Sequence, residues 1–203
     1  MRRPRFCCTT KMAVFLGIAS MVAGCDQATK WQALAHLTDV FEVGSSSGSE
    51  LDLGEKVSRF LWSRHPRQRA AVSVLDDFWH FRYVENPDAI WSLFRDAPKS
   101  WRVPFLLAMS LTVMIFVVLY ARRLEPHRVW ERYGLALVLG GAMGNFVDRA
   151  RLGYVIDFVD WHWYHQARWP VFNLADAAIV IGVSIMLAAR FRSDGRFAMT
   201  RVR

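Results

Sequence analysis

Two aspartates stand where a carboxylate is expensive. Asp148 closes an apolar, Gly-rich stretch that ends Gly144-Asn145-Phe146-Val147-Asp148-Arg149, and Asp176 opens another in Phe172-Asn173-Leu174-Ala175-Asp176. Inside a membrane helix a carboxylate costs roughly 2.5–3.5 kcal/mol on insertion scales, so one found there is usually functional. If the two flanking segments cross a bilayer in opposite directions, both acids arrive at the same face. Charges about 4 Å apart at an effective dielectric near 20 repel by about 4 kcal/mol, so one carboxyl keeps its proton while the other ionises. Such a pair can activate a water with its base and polarise a carbonyl with its acid, which is amide hydrolysis. Asn145 and Asn173 each stand three residues before an Asp. They can orient the carboxylates or a substrate backbone, and they can equally join helices by hydrogen bonds worth about 0.6–2 kcal/mol.

The elements that must position these acids follow from where the apolar residues lie. The chain has 203 residues, of which 53% are hydrophobic and 22% charged. The apolar residues come in blocks with the charges between them. A bilayer core needs about 20 apolar residues per helix. The blocks predict four transmembrane helices at about 12–34, 103–120, 132–149 and 172–190: an all-α membrane protein of one domain with a small periplasmic β element. The +8 net charge sits in the leader (Arg2, Arg3, Arg5, Lys11), in the link Arg122–Arg132 and after the fourth span (Arg190, Arg192, Arg196, Arg201, Arg203). By the positive-inside rule both termini are cytoplasmic. Both Asp residues then lie towards the periplasmic face, and no nucleic-acid partner is implied. The three cysteines predict no disulfide framework, since Cys7 and Cys8 are adjacent in a cytoplasmic leader.

The first outward loop begins with a stretch, 44–71, that reads as a flexible insert with one short helix, opened by the Gly/Ser run Gly44 to Glu50. Alternation over Phe78 to Val84, with Trp79, Phe81 and Tyr83 opposite His80 and Arg82, predicts a strand. Ala89 to Phe94 fits a short amphipathic helix, and Tyr154 to Val159 a second strand. Trp161, Trp163, Tyr164 and Trp169 fit an interfacial aromatic belt. Asp160, His162 and His165 read as polar groups of that interface rather than as zinc ligands, because no His-Glu-x-x-His helix is present. Gly140 and Gly144 form a small-xxx-small pair suited to close helix packing.

The two Asp boxes resemble those of lipoprotein signal peptidase (signal peptidase II). Asp26-Gln27-Ala28-Thr29-Lys30, Asn86-Pro87-Asp88-Ala89-Ile90 and Val155-Ile156-Asp157-Phe158 resemble that family's other motifs. The resemblance departs at Asp88 and Ile90, where the family has small residues. It implies a membrane aspartic endopeptidase without metal or cofactor, removing signal peptides from prolipoproteins before a diacylglyceryl-modified cysteine. Asp148 and Asp176 are then the expected catalytic pair. Asn86, Asn145, Arg149, Asn173 and Ala175 are expected to line or support the site, and Asp26 and Lys30 to support it structurally. The expected partners are the prolipoprotein and membrane lipid, and the expected setting is the bacterial inner membrane, as a monomer.

Two other readings compete. Val22-Ala23-Gly24-Cys25 resembles a lipobox, so the chain could itself be a lipoprotein processed at Cys25. Paired acids in a bundle can also serve a proton or ion pathway in a transporter, although transporters place such groups near mid-membrane.

Overall fold

The computed structural model describes residues 5–42, 51–87, 98–164 and 166–200. The Gly44–Glu50 run, Asp88, Ile90, the 89–94 segment and His165 lie outside them. Among the described residues, five helices and four short strands follow in the order α1 (Arg5–Leu37), α2 (Leu53–Trp62), β1 (Val72–Leu75), β2 (Trp79–Asn86), α3 (Lys99–Arg123), α4 (Val129–Leu152), β3 (Val155–Trp163), β4 (Ala167–Arg168) and α5 (Leu174–Thr200). The protein is thus mostly helical, with one small antiparallel sheet.

Three helices among the described residues are long and apolar enough to cross a membrane: Thr10–Leu37, Ser100–Arg123 and Leu174–Arg192. The chain is an integral membrane protein. At 24 residues, α4 is long enough as well, about 36 Å at 1.5 Å per residue, but its composition is more polar. The reason lies in its surroundings. Gly134, Leu135, Ala136, Leu139, Gly140, Gly141, Gly144, Asn145 and Asp148 of α4 are all buried. A helix whose faces meet protein rather than lipid need not be apolar all round.

Glycines let α4 approach its neighbours. A Cβ on Gly140 would stand 2.6 Å from the Ala19 carbonyl oxygen and from Val22 Cβ of α1. One on Gly134 would stand 2.5 Å from the Gly182 oxygen of α5, and the reverse holds for Gly182. Phe15, Ala19, Val117, Ala121, Leu135, Ala136 and Leu139 close a core between α1, α3 and α4. Lys11 Nζ donates to the Pro126 carbonyl oxygen at 3.2 Å, which puts the start of α1 beside the link between α3 and α4.

Gly153 ends α4 in the left-handed region (φ 85°), and its N–H bonds the Arg149 carbonyl oxygen. Glycine takes this conformation without steric cost, and the chain turns directly into β3. The sheet order is β1-β2-β3-β4, all antiparallel. Register pairs Val84 with Asp157 and Asn86 with Val155, after an irregularity between Phe81 and Val84. Both predicted strands are present, as β2 and β3.

A second core lies under the sheet, formed by Ala33, Leu34, Leu37, Val40, Phe60, Tyr83, Leu152, Tyr154, Ile156 and Phe158. Phe60 comes from α2. That helix is started by a capping box, with Asp52 accepting from Gly54 N and Glu55 reaching back to Asp52 N. The described part of the 44–71 insert also bonds Val40 O through Arg59 Nη1 (2.9 Å) and Leu37 O through Arg69 N (2.9 Å).

Candidate active site

The site is assembled where α1, α4, β3 and the start of α5 meet, around one lysine. Lys30 is fully buried, and each of its three N–H donors has a partner: Asp26 Oδ2 at 2.8 Å, Asp148 Oδ2 at 2.8 Å and Asn145 Oδ1 at 3.0 Å. An ammonium has no further donors. Asp26 uses its other oxygen to accept the Ala175 N–H at 3.0 Å, so α1 holds the N-terminus of α5. Gln27, one residue on, donates to Gly144 O and Asp148 Oδ1.

Asp148 is saturated. Its Oδ1 accepts from Arg151 Nη2 (2.9 Å) and Gln27 Nε2 (3.1 Å), and its Oδ2 from Lys30 Nζ (2.8 Å) and Ile156 N (3.2 Å). Those four bonds occupy the four lone-pair positions of a carboxylate, and the residue has no solvent exposure.

Two asparagines carry the order outward. Because Lys30 can only donate, Asn145 must turn its oxygen to it. The amide nitrogen of Asn145 then points to Asp176 Oδ1, at 2.8 Å. Asn173 is the N-cap of α5: its Oδ1 accepts the Asp176 N–H at 3.0 Å, and Asp176 Oδ2 accepts the Asn173 N–H at 3.2 Å. This is a reciprocal capping box, and it fixes the Asp176 rotamer. The Asn173 amide nitrogen also reaches Asn145 Oδ1 (3.1 Å), Ile156 O (3.2 Å) and Asp157 Oδ1 (2.6 Å).

Asp157 is therefore the acid that Asn173 ties to Asp176. Its other oxygen accepts from Asn86 Nδ2 at 2.9 Å, across the β2–β3 pair. Where Asp148 meets two cations, Asp157 meets two neutral amides. Burial pushes its carboxyl up to about 7, and the charge of Asp176 adds to the rise, while the Asn86 amide, Lys30 and Asn173 act against it. Asp176 is partly exposed. Arg149 lies within electrostatic reach of Asp176, Asp157 and Asp148.

All nine residues singled out for the site are described, and the bonds above join Asp26, Lys30, Asn86, Asn145, Asp148, Asn173, Ala175 and Asp176, with Arg149 within electrostatic reach of three of the acids. The motif Val155-Ile156-Asp157-Phe158 contains Asp157, but the sequence pattern alone assigns it no role. The available signal was an acid inside the apolar run Val155-Ile156-Asp157-Phe158-Val159, a placement that strongly shifts a carboxyl. Away from the site, Asp160 is held by Arg82 (3.1 Å) and Arg168 (3.5 Å), and His162 stacks on His80 at 4.6 Å. Cys25 is exposed on α1, five residues before Lys30. Cleavage before it would remove Phe15 and Ala19 from the α1–α3–α4 core.

The fold and site define a membrane protein with carboxylates gathered at helix and strand ends. The match to Signal peptidase (SPase) II runs over residues 18–192, and the chain belongs to that family of peptidases. It is 39% identical over 182 residues to the lipoprotein signal peptidase of Anaeromyxobacter sp. (strain Fw109-5), covering 88% of this chain and 84% of that one. It is 38% identical to that of Syntrophotalea carbinolica, over 70% of this chain and 85% of the relative. A solved bacterial membrane enzyme shares the fold, with a TM-score of 0.64 at 21% identity over 91% of both chains.

Proposed function

We propose that this protein is a membrane aspartic endopeptidase that removes signal peptides from prolipoproteins, with Asp157 and Asp176 as its catalytic pair. That pair replaces the Asp148–Asp176 pair expected from the sequence. The observation that carries the choice is Asn173, whose side chain bonds Asp157 while its backbone and Oδ1 cap Asp176. Asp148, with two cations and no vacant lone pair, serves as a buried anchor. The carboxyl of Asp157, raised by burial, shares its proton with the partly exposed Asp176 beside it. Coupled acids titrate as a unit, and burial favours the proton resting on Asp157.

In this reading Asp176 takes a proton from water as that water attacks the scissile carbonyl, and Asp157 donates its proton to the developing oxyanion. Collapse of the gem-diol returns one hydroxyl proton to Asp157 and expels the amine, which takes up the proton that Asp176 had removed. Asn86, Asn145 and Asn173 hold both acids in place, and Arg149 supplies positive field beside them. We read α4 as the fourth span, so that the site opens at the periplasmic face with both termini in the cytoplasm. The Lys11–Pro126 contact supports that arrangement, since it joins two basic segments on one side. The chain is one domain in the inner membrane, and the substrate's signal helix reaches the site laterally through lipid.

The test is cleavage by the purified, lipid-supplemented protein of two precursors, one diacylglyceryl-modified at cysteine and one not. The expected outcome is cleavage of the modified precursor to a product beginning with its cysteine. Proton flux in liposomes without cleavage of either precursor would favour a transporter instead.

A further inference from the structure

We propose that the α2 insert is a positioning device for the reaction, acting through Phe60, Arg151, Asp148 and Ile156 on Asp157. The inference rests on the Asp157–Asp176 reading and concerns the 51–71 segment, which the site description does not use.

The need for such a device follows from charge. Asp26 and Asp148 are both fully buried and share one cation, Lys30. A buried carboxylate without compensation is strongly destabilising, so this pair requires a second positive charge. Arg151 supplies it, one turn beyond Asp148 on α4, with Nη2 on Asp148 Oδ1 at 2.9 Å. Arg151 is itself only 6% exposed, and α2 provides its cover. The Phe60 ring lies against the guanidinium, with Cζ 4.1 Å from the ring centroid. Such a contact with an aromatic face favours a cation.

Arg151 Nη1 also donates to the Phe60 carbonyl oxygen. That oxygen belongs to the last turn of α2, where carbonyls lack intrahelical partners and the helix dipole favours positive charge. The same segment is fastened twice more nearby, by Arg64 Nη2 on Arg151 O (3.1 Å) and by His65 N on the Tyr154 hydroxyl (3.2 Å).

The other end of the relay is the reacting acid. Asp148 Oδ2 accepts the N–H of Ile156, the residue immediately before Asp157, and Ile156 O accepts from Asn173. With Arg151 neutralised or uncovered, the Asp148 carboxylate can turn, and the Ile156 peptide loses its fixed acceptor. Asp157 would then shift against Asp176, and misplacement of about 1 Å at a reacting group can cost about 10²-fold in rate.

The experiment is steady-state cleavage of the diacylglyceryl-modified precursor by full-length Arg151→Met, Phe60→Ala, their double variant and Arg151→Lys, with Asp157→Asn alongside. Arg151→Met is expected to lose kcat by up to about 10²-fold with KM within about twofold, since an interaction needed only for the transition state is removed. The double variant should lose no more than the worse single one, because both act on one contact. Arg151→Lys should recover part of kcat by restoring the charge.

Wild-type kcat in Arg151→Met would overturn the inference. So would losses in all variants that merely follow the unfolded fraction. The two Arg151 variants decide the matter even if Phe60→Ala does not fold. Wild-type turnover by Asp157→Asn would instead remove the reading on which the inference rests.

Discussion

Asn173 and Asp176 cap one another at the start of α5, the Asp176 N–H on Asn173 Oδ1 at 3.0 Å and the Asn173 N–H on Asp176 Oδ2 at 3.2 Å. The same bonds that begin the helix hold Asp176, the partly exposed member of the proposed pair, in one rotamer. Structure and chemistry are therefore joined at one residue, and Asn173→Ala tests both. Loss of an N-cap costs about 0.5–2 kcal/mol. Calorimetry in detergent should show a modest fall in melting temperature, and the cleavage assay a far larger fall in kcat, because Asp157 loses its Asn173 contact too.

Removing the central cation should be far more damaging to the fold than removing the cap. Lys30→Met leaves Asp26 and Asp148 buried without their shared partner. Breaking a buried pair in this way costs about 3–5 kcal/mol. The expected result is a protein largely unfolded or degraded at growth temperature, followed by its abundance in membranes and by thermal unfolding. Wild-type stability in this variant would contradict the buried network.

Two glycines give a controlled comparison of packing. A Cβ on Gly144 would collide with the Asp26 carboxylate, whereas one on Gly17 meets nothing within 4 Å. Gly144→Ala is expected to destabilise by about 1–3 kcal/mol, the usual cost of overpacking, and Gly17→Ala to leave the melting temperature unchanged or slightly raised. Equal effects of the two would show that α1 and α4 are not packed as described.

The raised carboxyl of Asp157 has a consequence for stability. Between about pH 4 and about pH 7 the folded protein holds a proton on Asp157 that the unfolded chain has released. Stability falls with rising pH wherever the native state binds more protons. The wild type should therefore lose stability relative to Asp157→Asn across that window, with the gap levelling off above about pH 7. In the same range kcat/KM of the wild type should decline as pH passes about 7 and the shared proton is lost. Parallel melting curves for the two proteins at every pH would oppose this account.

Much of the architecture was legible from residue patterns. The apolar blocks located α1, α3 and α5, alternation located β2, and the paired boxes located Asn145, Asp148, Asn173 and Asp176. The acid proposed here as the partner of Asp176 was not legible. Both Asp148 and Asp157 follow Asn145 within a dozen residues, and only the turn at Gly153 and the strand register decide which faces Asp176. Asp148 points back at Lys30, a contact between residues 118 positions apart that no local pattern encodes. The docking of α2 was hidden for a related reason. One short helix was expected in the insert, but the Arg151–Phe60 contact that anchors it joins segments far apart in the chain. The more polar composition of α4 likewise makes sense only once its neighbours are known.

The central claim is that Asp157, not Asp148, works with Asp176, and the most direct measurement is single-turnover cleavage of the modified precursor by the three Asn variants, each checked for folding. Asp157→Asn and Asp176→Asn should remain folded and lose about 10²–10⁴-fold in rate, the usual contribution of an acid or base. Asp148→Asn should instead lower the melting temperature while its folded fraction keeps measurable turnover. Turnover at the wild-type rate by Asp157→Asn, or a fully stable and silent Asp148→Asn, would contradict the account.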